Sequence, residues 1–134
     1  MMKSLDPLRS LAGAACVTLL VAAAQIAHAA DYKVGFITSL SGPVSSLGIP
    51  YQKGMLASQA FKGDIDGKKI QVIQLDDASD PSVAARNARK LIDEDKVDVI
   101  IGTAGSPGAL AIAAVARETK TPLISIANAN LQGE

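Results

Sequence analysis

The chain has 134 residues, with 13 Lys and Arg against 13 Asp and Glu, so its formal charge is zero. Without a basic excess there is no electrostatic footprint for nucleic acid or anionic lipid, and no nucleic-acid partner is expected. Aromatic residues make up only 3% and Trp is absent, whereas Ala, Val, Ile and Gly abound, which suits β-branched strands packed against Ala-rich helices.

Residues 1–29 read as an export signal. Lys3 and Arg9 form a positive start, Leu11–Ala24 is an apolar run, and Ala27-His28-Ala29 supplies an A-x-A cleavage site. The run is shorter than the ~20 residues a membrane span needs, so cleavage after Ala29 and release to the periplasm are expected. A lipid-anchor reading of Cys16 needs a large aliphatic residue three places earlier, where Gly13 stands, and the apolar run continues past it. Maturation removes Cys16, His28, Lys3, Arg9 and Asp6, leaving no disulfide and one acid in excess.

Tyr32–Thr38 is strand-like and runs into the turn-rich Ser39–Pro43. From about Gly48 to Ala60 the composition turns helical, although Gly54 costs about 1 kcal/mol in a helix interior. Phe61–Lys69 reads as a charged turn region. Ile70–Leu75 is the next strand and ends at Asp76-Asp77. Asp80-Pro81 then signals a helix start, with Ala84, Ala88, Leu91 and Ile92 on one face and Ser82, Arg86, Arg89 and Asp93 on the other.

Val97–Ile101 is a β-branched strand that ends at Gly102. Ser106-Pro107 repeats the helix-start signal, with Ser106 at N-cap and Pro107 at N1. The helix Pro107–Thr119 is apolar all round from Ala109 to Ala116, which predicts burial. Thr121-Pro122 breaks it, and Leu123–Ile126 is a fourth short strand before the loop Ala127–Asn130. The order β-α-β-α-β-α-β predicts an α/β fold, a parallel sheet with right-handed crossovers and helices on both faces. Eight residues follow Ile126 without a helix to cover the last strand, so we expect residues 30–134 to be the N-terminal portion of a longer protein.

Ligands of open α/β sheets sit beyond the carboxyl ends of the strands. Gly102, Gly105 and Gly108 space as G-x-x-G-x-x-G, not as a dinucleotide fingerprint, and the Gly-Lys-Ser/Thr of a phosphate loop is absent. Ala104-Gly105-Ser106-Pro107-Gly108 is an A-x-S-x-G version of a nucleophile elbow, which makes an exported α/β hydrolase using Ser106 the alternative reading. That serine has no histidine in the mature segment to act as base, and Pro107 removes the N–H that follows the nucleophile in an oxyanion hole. Asp76, Asp77 and Asp80 could hold a divalent cation, but the plainer account caps a helix with Asp80 and places the other two near its dipole. No metal and no cofactor are expected. What remains is a binding module: Ser106 and nearby N–H groups suit a carboxylate, with Leu47 and Ala-lined loops around a small solute. From spacing alone, Ser106 reads equally well as a helix cap.

Val34–Pro43 (VGFITSLSGP), Leu75–Pro81 (LDDASDP), Ile101–Ser106 (IGTAGS) and Thr121–Ser125 (TPLIS) resemble, in register from about Asp31 onward, the periplasmic leucine/isoleucine/valine-binding family. The resemblance implies a type I solute-binding protein of an ABC transporter, with two α/β lobes that close on a solute. This chain would be part of the first lobe. It further implies a non-enzymatic, monomeric receptor whose partners are a small solute and a membrane permease. By the same resemblance Ser106 takes the ligand carboxylate, Ala104 and Gly105 line its loop, and Ala127 makes a backbone contact. Ala129 stands where amino-acid binders use a threonine, Leu47 where they often have an aromatic, and Ser79 and Gly105 replace a cysteine pair. Without the hydroxyl at Ala129, Asn128 or Asn130 is the expected contact for an amide or an aromatic acid.

Overall fold

A computed structural model describes residues 32–131; the export signal, Cys16 and His28 lie outside them. The elements are β1 (Tyr32–Thr38), α1 (Ser45–Phe61), β2 (Asp64–Ile65), β3 (Lys68–Asp76), α2 (Pro81–Asp93), β4 (Val99–Gly102), α3 (Ser106–Thr119) and β5 (Leu123–Ser125). They form a five-stranded sheet in the order β2-β3-β1-β4-β5. Every pairing among β3, β1, β4 and β5 is parallel, as the alternation of strands and helices predicts.

One strand departs from the expected all-parallel sheet. β2 pairs antiparallel with the start of β3, Asp64 opposite Lys69 and Ile65 opposite Lys68. The two residues between them, Asp66 (φ 52°) and Gly67 (φ 76°), both have positive φ, the requirement of a tight two-residue hairpin turn. The Phe61–Lys69 segment is therefore a β-hairpin in part, and the Asp-Gly pair was the sequence signal for it.

β1 occupies the centre, and its alternate residues face opposite ways. Ile37 joins Ala84, Ala88, Leu91, Val97, Ile100, Ile112 and Val115 in the buried core. α2 and α3 pack against each other over that face. Each fully buried Leu or Ile there contributes about 1.5–3 kcal/mol relative to exposure. α3 is less fully covered than its apolar composition predicts, since Leu110 on its outer side is 50% exposed.

Helix starts follow local chemistry. Asp80 caps α2, accepting from the backbone N–H of Ser82 (2.7 Å) and Val83 (3.0 Å), with Pro81 opening the helix as read from the sequence. α3 ends at Lys120 in the left-handed conformation, whose N–H reaches back to the carbonyls of Ala116 and Arg117. Arg89 on α2 and Glu118 on α3 form a two-pronged surface pair (2.7 and 3.3 Å).

α1 lies on the other face and is lightly held. Two right-handed crossovers that leave a strand in opposite directions fall on opposite sides of the sheet, and β1-α1-β3 runs opposite to β3-α2-β4. Only Gly48 of α1 is buried. The hydroxyl of Thr38 donates to the Gly48 carbonyl (3.3 Å), and a Cβ on Gly48 would stand 1.9 Å from the Ser39 carbonyl oxygen. The helix thus approaches the end of β1 at backbone contact. At the far edge of the sheet, β5 has no outer partner among the described residues, and Ile124 is 55% exposed.

Two glycines of α1 should respond oppositely to alanine. Gly48→Ala must push α1 away from Ser39 and should destabilise by about 2–3 kcal/mol. Gly54 has nothing within 4 Å of its missing Cβ, so Gly54→Ala should stabilise by about 0.5–1 kcal/mol. Urea unfolding midpoints measure both; equal midpoints would contradict this seating of α1.

Candidate functional site

The carboxyl ends of the parallel strands carry four loops, and three of them are joined by two adjacent carboxylates. Asp77 is 1% exposed. One of its oxygens accepts from the Ser39 hydroxyl (2.7 Å) and the Ser79 N–H (2.9 Å), and the other from the Thr103 hydroxyl. Ser39 follows β1, Ser79 lies in the β3–α2 turn and Thr103 follows β4. Asp76 accepts from the N–H groups of Leu40 (2.8 Å), Ser41 (3.4 Å) and Ala78 (2.8 Å) and from the Ser41 hydroxyl (2.7 Å). The expectation that Asp76 and Asp77 serve the N-terminal dipole of α2 is thus corrected: only Asp80 does so, because the other two side chains point back to the β1–α1 and β4–α3 loops.

Burial alone would raise the Asp76 pKa. The Ser41 hydroxyl and the N–H groups of Ala78, Leu40 and Ser41 outweigh it and hold the carboxyl below its ordinary value. Asp80 is lowered as well, by the N–H groups of Val83 and Ser82.

The remaining loops meet at Ser106. α3 begins one residue earlier than expected, so Gly105 is the N-cap and Ser106 and Pro107 open the helix. Ser106 does not cap it. Its hydroxyl donates to the carbonyl of Asn128 (2.9 Å), tying the β4–α3 loop to the loop after β5. The Ile126 N–H adds a bond to the Gly102 carbonyl (3.2 Å). The Ala127 carbonyl accepts from the Ala129 N–H (3.0 Å) and the Ser125 hydroxyl (3.4 Å).

Of the residues singled out from the sequence, the fold therefore gathers Ala104, Gly105, Ser106, Ala127, Asn128 and Ala129 along one lip, all half-buried except the exposed Asn128. Leu47 stands apart in the first turn of α1 and is 51% exposed. Ser79 and Gly105 line one pocket, of about 110 Å³, together with Ser39, Val44, Asp77 and Pro107. That is well below the roughly 300 Å³ at which small-molecule sites begin. A larger hollow of about 370 Å³ beside Ala116, Arg117, Lys120 and Leu123 lies at the opposite end of the strands, away from the lip.

The lip offers the N-terminal end and dipole of α3, the Ser106 hydroxyl and small apolar side chains, groups whose chemistry suits an anion such as a carboxylate. A hydrolase would need a base beside Ser106, and the group there is the Asn128 carbonyl. Among the described residues no group of three acids, histidines or cysteines is placed to hold a metal ion. Also among them, no helix is long and apolar enough to cross a membrane. Thr103 and the bridging role of Asp77 went unread in the sequence; the available signal was a hydroxyl directly after a β-branched strand and two adjacent acids after another.

Comparison with known proteins bears on the fold and the family. A family model described as Periplasmic binding protein matches residues 31–134. The Leu/Ile/Val-binding protein of Escherichia coli K12 is 37% identical over 94 residues, covering 66% of this chain and 24% of that protein. An extracellular ligand-binding receptor from Rhodopseudomonas palustris HaA2 superimposes with a TM-score of 0.67 at 45% identity, covering 73% of this chain and 26% of the other. A solute binding protein of an ABC transporter from Rhodopseudomonas palustris BisB5, in complex with 3,4-dihydroxy benzoic acid, gives a TM-score of 0.69 at 39% identity, covering 75% and 28%. The chain thus spans about a quarter of the length of these relatives.

The Asp76 carboxylate gives a pH dependence of known sign. Because the Asp76 pKa is lowered on folding, its contribution is complete above the ordinary value of 3.8 and is lost as pH falls through the lower folded value. Urea midpoints should be flat from pH 7 to about pH 5 and fall below about pH 4. Asp76→Asn should make the fall shallower, and an unaltered slope in that variant would refute the assignment.

Proposed function

The chain belongs to the periplasmic binding protein family, and from that premise we propose that it supplies one ligand-holding lip of an exported solute receptor. The receptor is a monomer that carries a small amphiphilic solute to the permease of an ABC importer. Its first residue after signal cleavage is Ala30, which the intact mass of the exported protein reads directly. The solute is a carboxylate or amide: a branched-chain or other amino acid, or an aromatic acid.

The observation that carries this reading is the meeting of Ser106, the α3 N-terminus and the Asn128 loop at the carboxyl edge of the sheet. Ser106 gives its proton to a carbonyl that an incoming carboxylate can replace at little cost, since one accepted hydrogen bond is exchanged for a stronger, charge-assisted one. The apolar Ala104, Ala127 and Ala129 suit the hydrocarbon part of the solute. The relatives support the same choice, one by its Leu/Ile/Val-binding name and another by its bound aromatic acid.

Thermal-shift screening of the longer exported protein against leucine, 3,4-dihydroxybenzoate and simple amides tests the proposal. A stabilising ligand should bind about ten- to a hundredfold more weakly to Ser106→Ala, the loss of one charge-assisted hydrogen bond. Turnover of an ester abolished by the same change would overturn it in favour of a hydrolase. Residues 30–134 alone should bind only weakly, because the 110 Å³ pocket cannot enclose a solute. Micromolar or tighter binding by that piece would contradict the two-lobed reading.

A further inference from the structure

We infer that Asp77 is a positioning residue for the solute-binding lip: its buried carboxylate fixes the β4–α3 loop from behind, and through it Ser106. The inference rests on the proposed function, which makes the Ser106 lip the place where solute is held. Three features of the side chain carry it.

First, a carboxylate is costly to bury unless its oxygens are used, and Asp77, at 1% exposure, has both engaged. A neutral filler would occupy this space at less cost. The charge therefore has a task beyond filling volume, and the donors around it define that task.

Second, those donors come from three different loops. Ser39, Ser79 and Thr103 are separated along the chain, and each lies at the carboxyl end of a different strand. Ser79 extends the tie, since its hydroxyl donates to the Ser41 carbonyl (2.8 Å) and accepts from the Val44 N–H (3.1 Å). The β1–α1, β3–α2 and β4–α3 loops are thereby fixed relative to one another by one side chain and its partner.

Third, the carboxylate sits against the helix that carries the lip. A Cβ on Gly108, in the first turn of α3, would stand 3.4 Å from an Asp77 oxygen and 2.8 Å from the Thr103 methyl. Thr103 is bonded to Asp77 only three residues before Ser106. The N-cap of α3 is a glycine without a side-chain capping hydrogen bond, so Thr103 supplies the polar tie just before it. Displacing Thr103 displaces the turn from which Ser106 projects.

The test uses the longer exported protein with Asp77→Asn, Thr103→Val and Ser106→Ala. Hydrogen exchange at the amides of Ala109 and Ile126, which bond to Gly105 and Gly102 on either side of the loop, reads its order. Calorimetry with leucine and 3,4-dihydroxybenzoate reads binding. Asp77→Asn and Thr103→Val should each speed exchange at both amides tenfold or more, leave Ala88 and Leu91 as they were, and weaken the bound probe about tenfold. Ser106→Ala should weaken the probe with no change in exchange at Ala109, whose bond does not depend on the Ser106 hydroxyl. If Asp77→Asn does not fold, Thr103→Val, which removes a single bond, carries the test alone. Unaltered exchange at Ala109 and Ile126 would overturn the inference, as would a rise spread equally over α2. Wild-type affinity in Ser106→Ala, with exchange altered in the other two, would instead overturn the reading of the lip and leave the positioning role standing.

Discussion

A buried negative charge organises the functional edge of this sheet. Parallel strands end in loops that the hydrogen-bonded ladder no longer holds, so their relative positions must come from side chains or from close backbone packing. Here both are used. Asp77 collects hydroxyl and amide donors from three loops, Asp76 collects a second set from the β1–α1 loop, and Gly48 lets α1 press its backbone on the Ser39 carbonyl. All of these interactions lie within a few residues of the strand ends.

Most of the apolar core lies on one side, although Phe36, 2% exposed, is buried on the other. Ile37, Leu91, Ile100, Ile112 and Val115 cluster under α2 and α3, and that half of the molecule supplies most of the burial. α1 contributes one buried glycine and leaves Leu47, Tyr51, Leu56 and Phe61 largely exposed. The two faces of the sheet therefore differ in mechanical character. The α2–α3 face is a fixed platform from which Ser106 is presented, whereas α1 is held by polar and backbone contacts near its first turns.

Much of this was legible in the sequence. β1 matches its apolar pattern residue for residue, and α2 starts at the cap that Asp80-Pro81 announces, because both depend on local chemistry. The parallel order followed from alternation, and the family resemblance from three loops in register. What escaped was non-local or overruled by tertiary packing. Ser106 reads as an N-cap until the loop after β5 brings the Asn128 carbonyl within 2.9 Å to accept its hydrogen bond. Asp76 and Asp77 read as companions of α2 because sequence proximity says nothing of where a side chain turns. The Asp66-Gly67 hairpin was readable, but a strand of two residues carries too little alternation to stand out from charged turn composition.

The two edges of the sheet differ in their cover. On the β3 side a two-residue strand covers only the first two residues, Lys68 and Lys69, amid the charges of Asp64 and both lysines. On the β5 side the backbone is open beside a half-exposed Ile124. A strand added at β5 would run alongside the segment that leads into Ala127–Ala129. That open edge and the rim at Ser106 are neighbours, joined through the Ser106–Asn128 hydrogen bond.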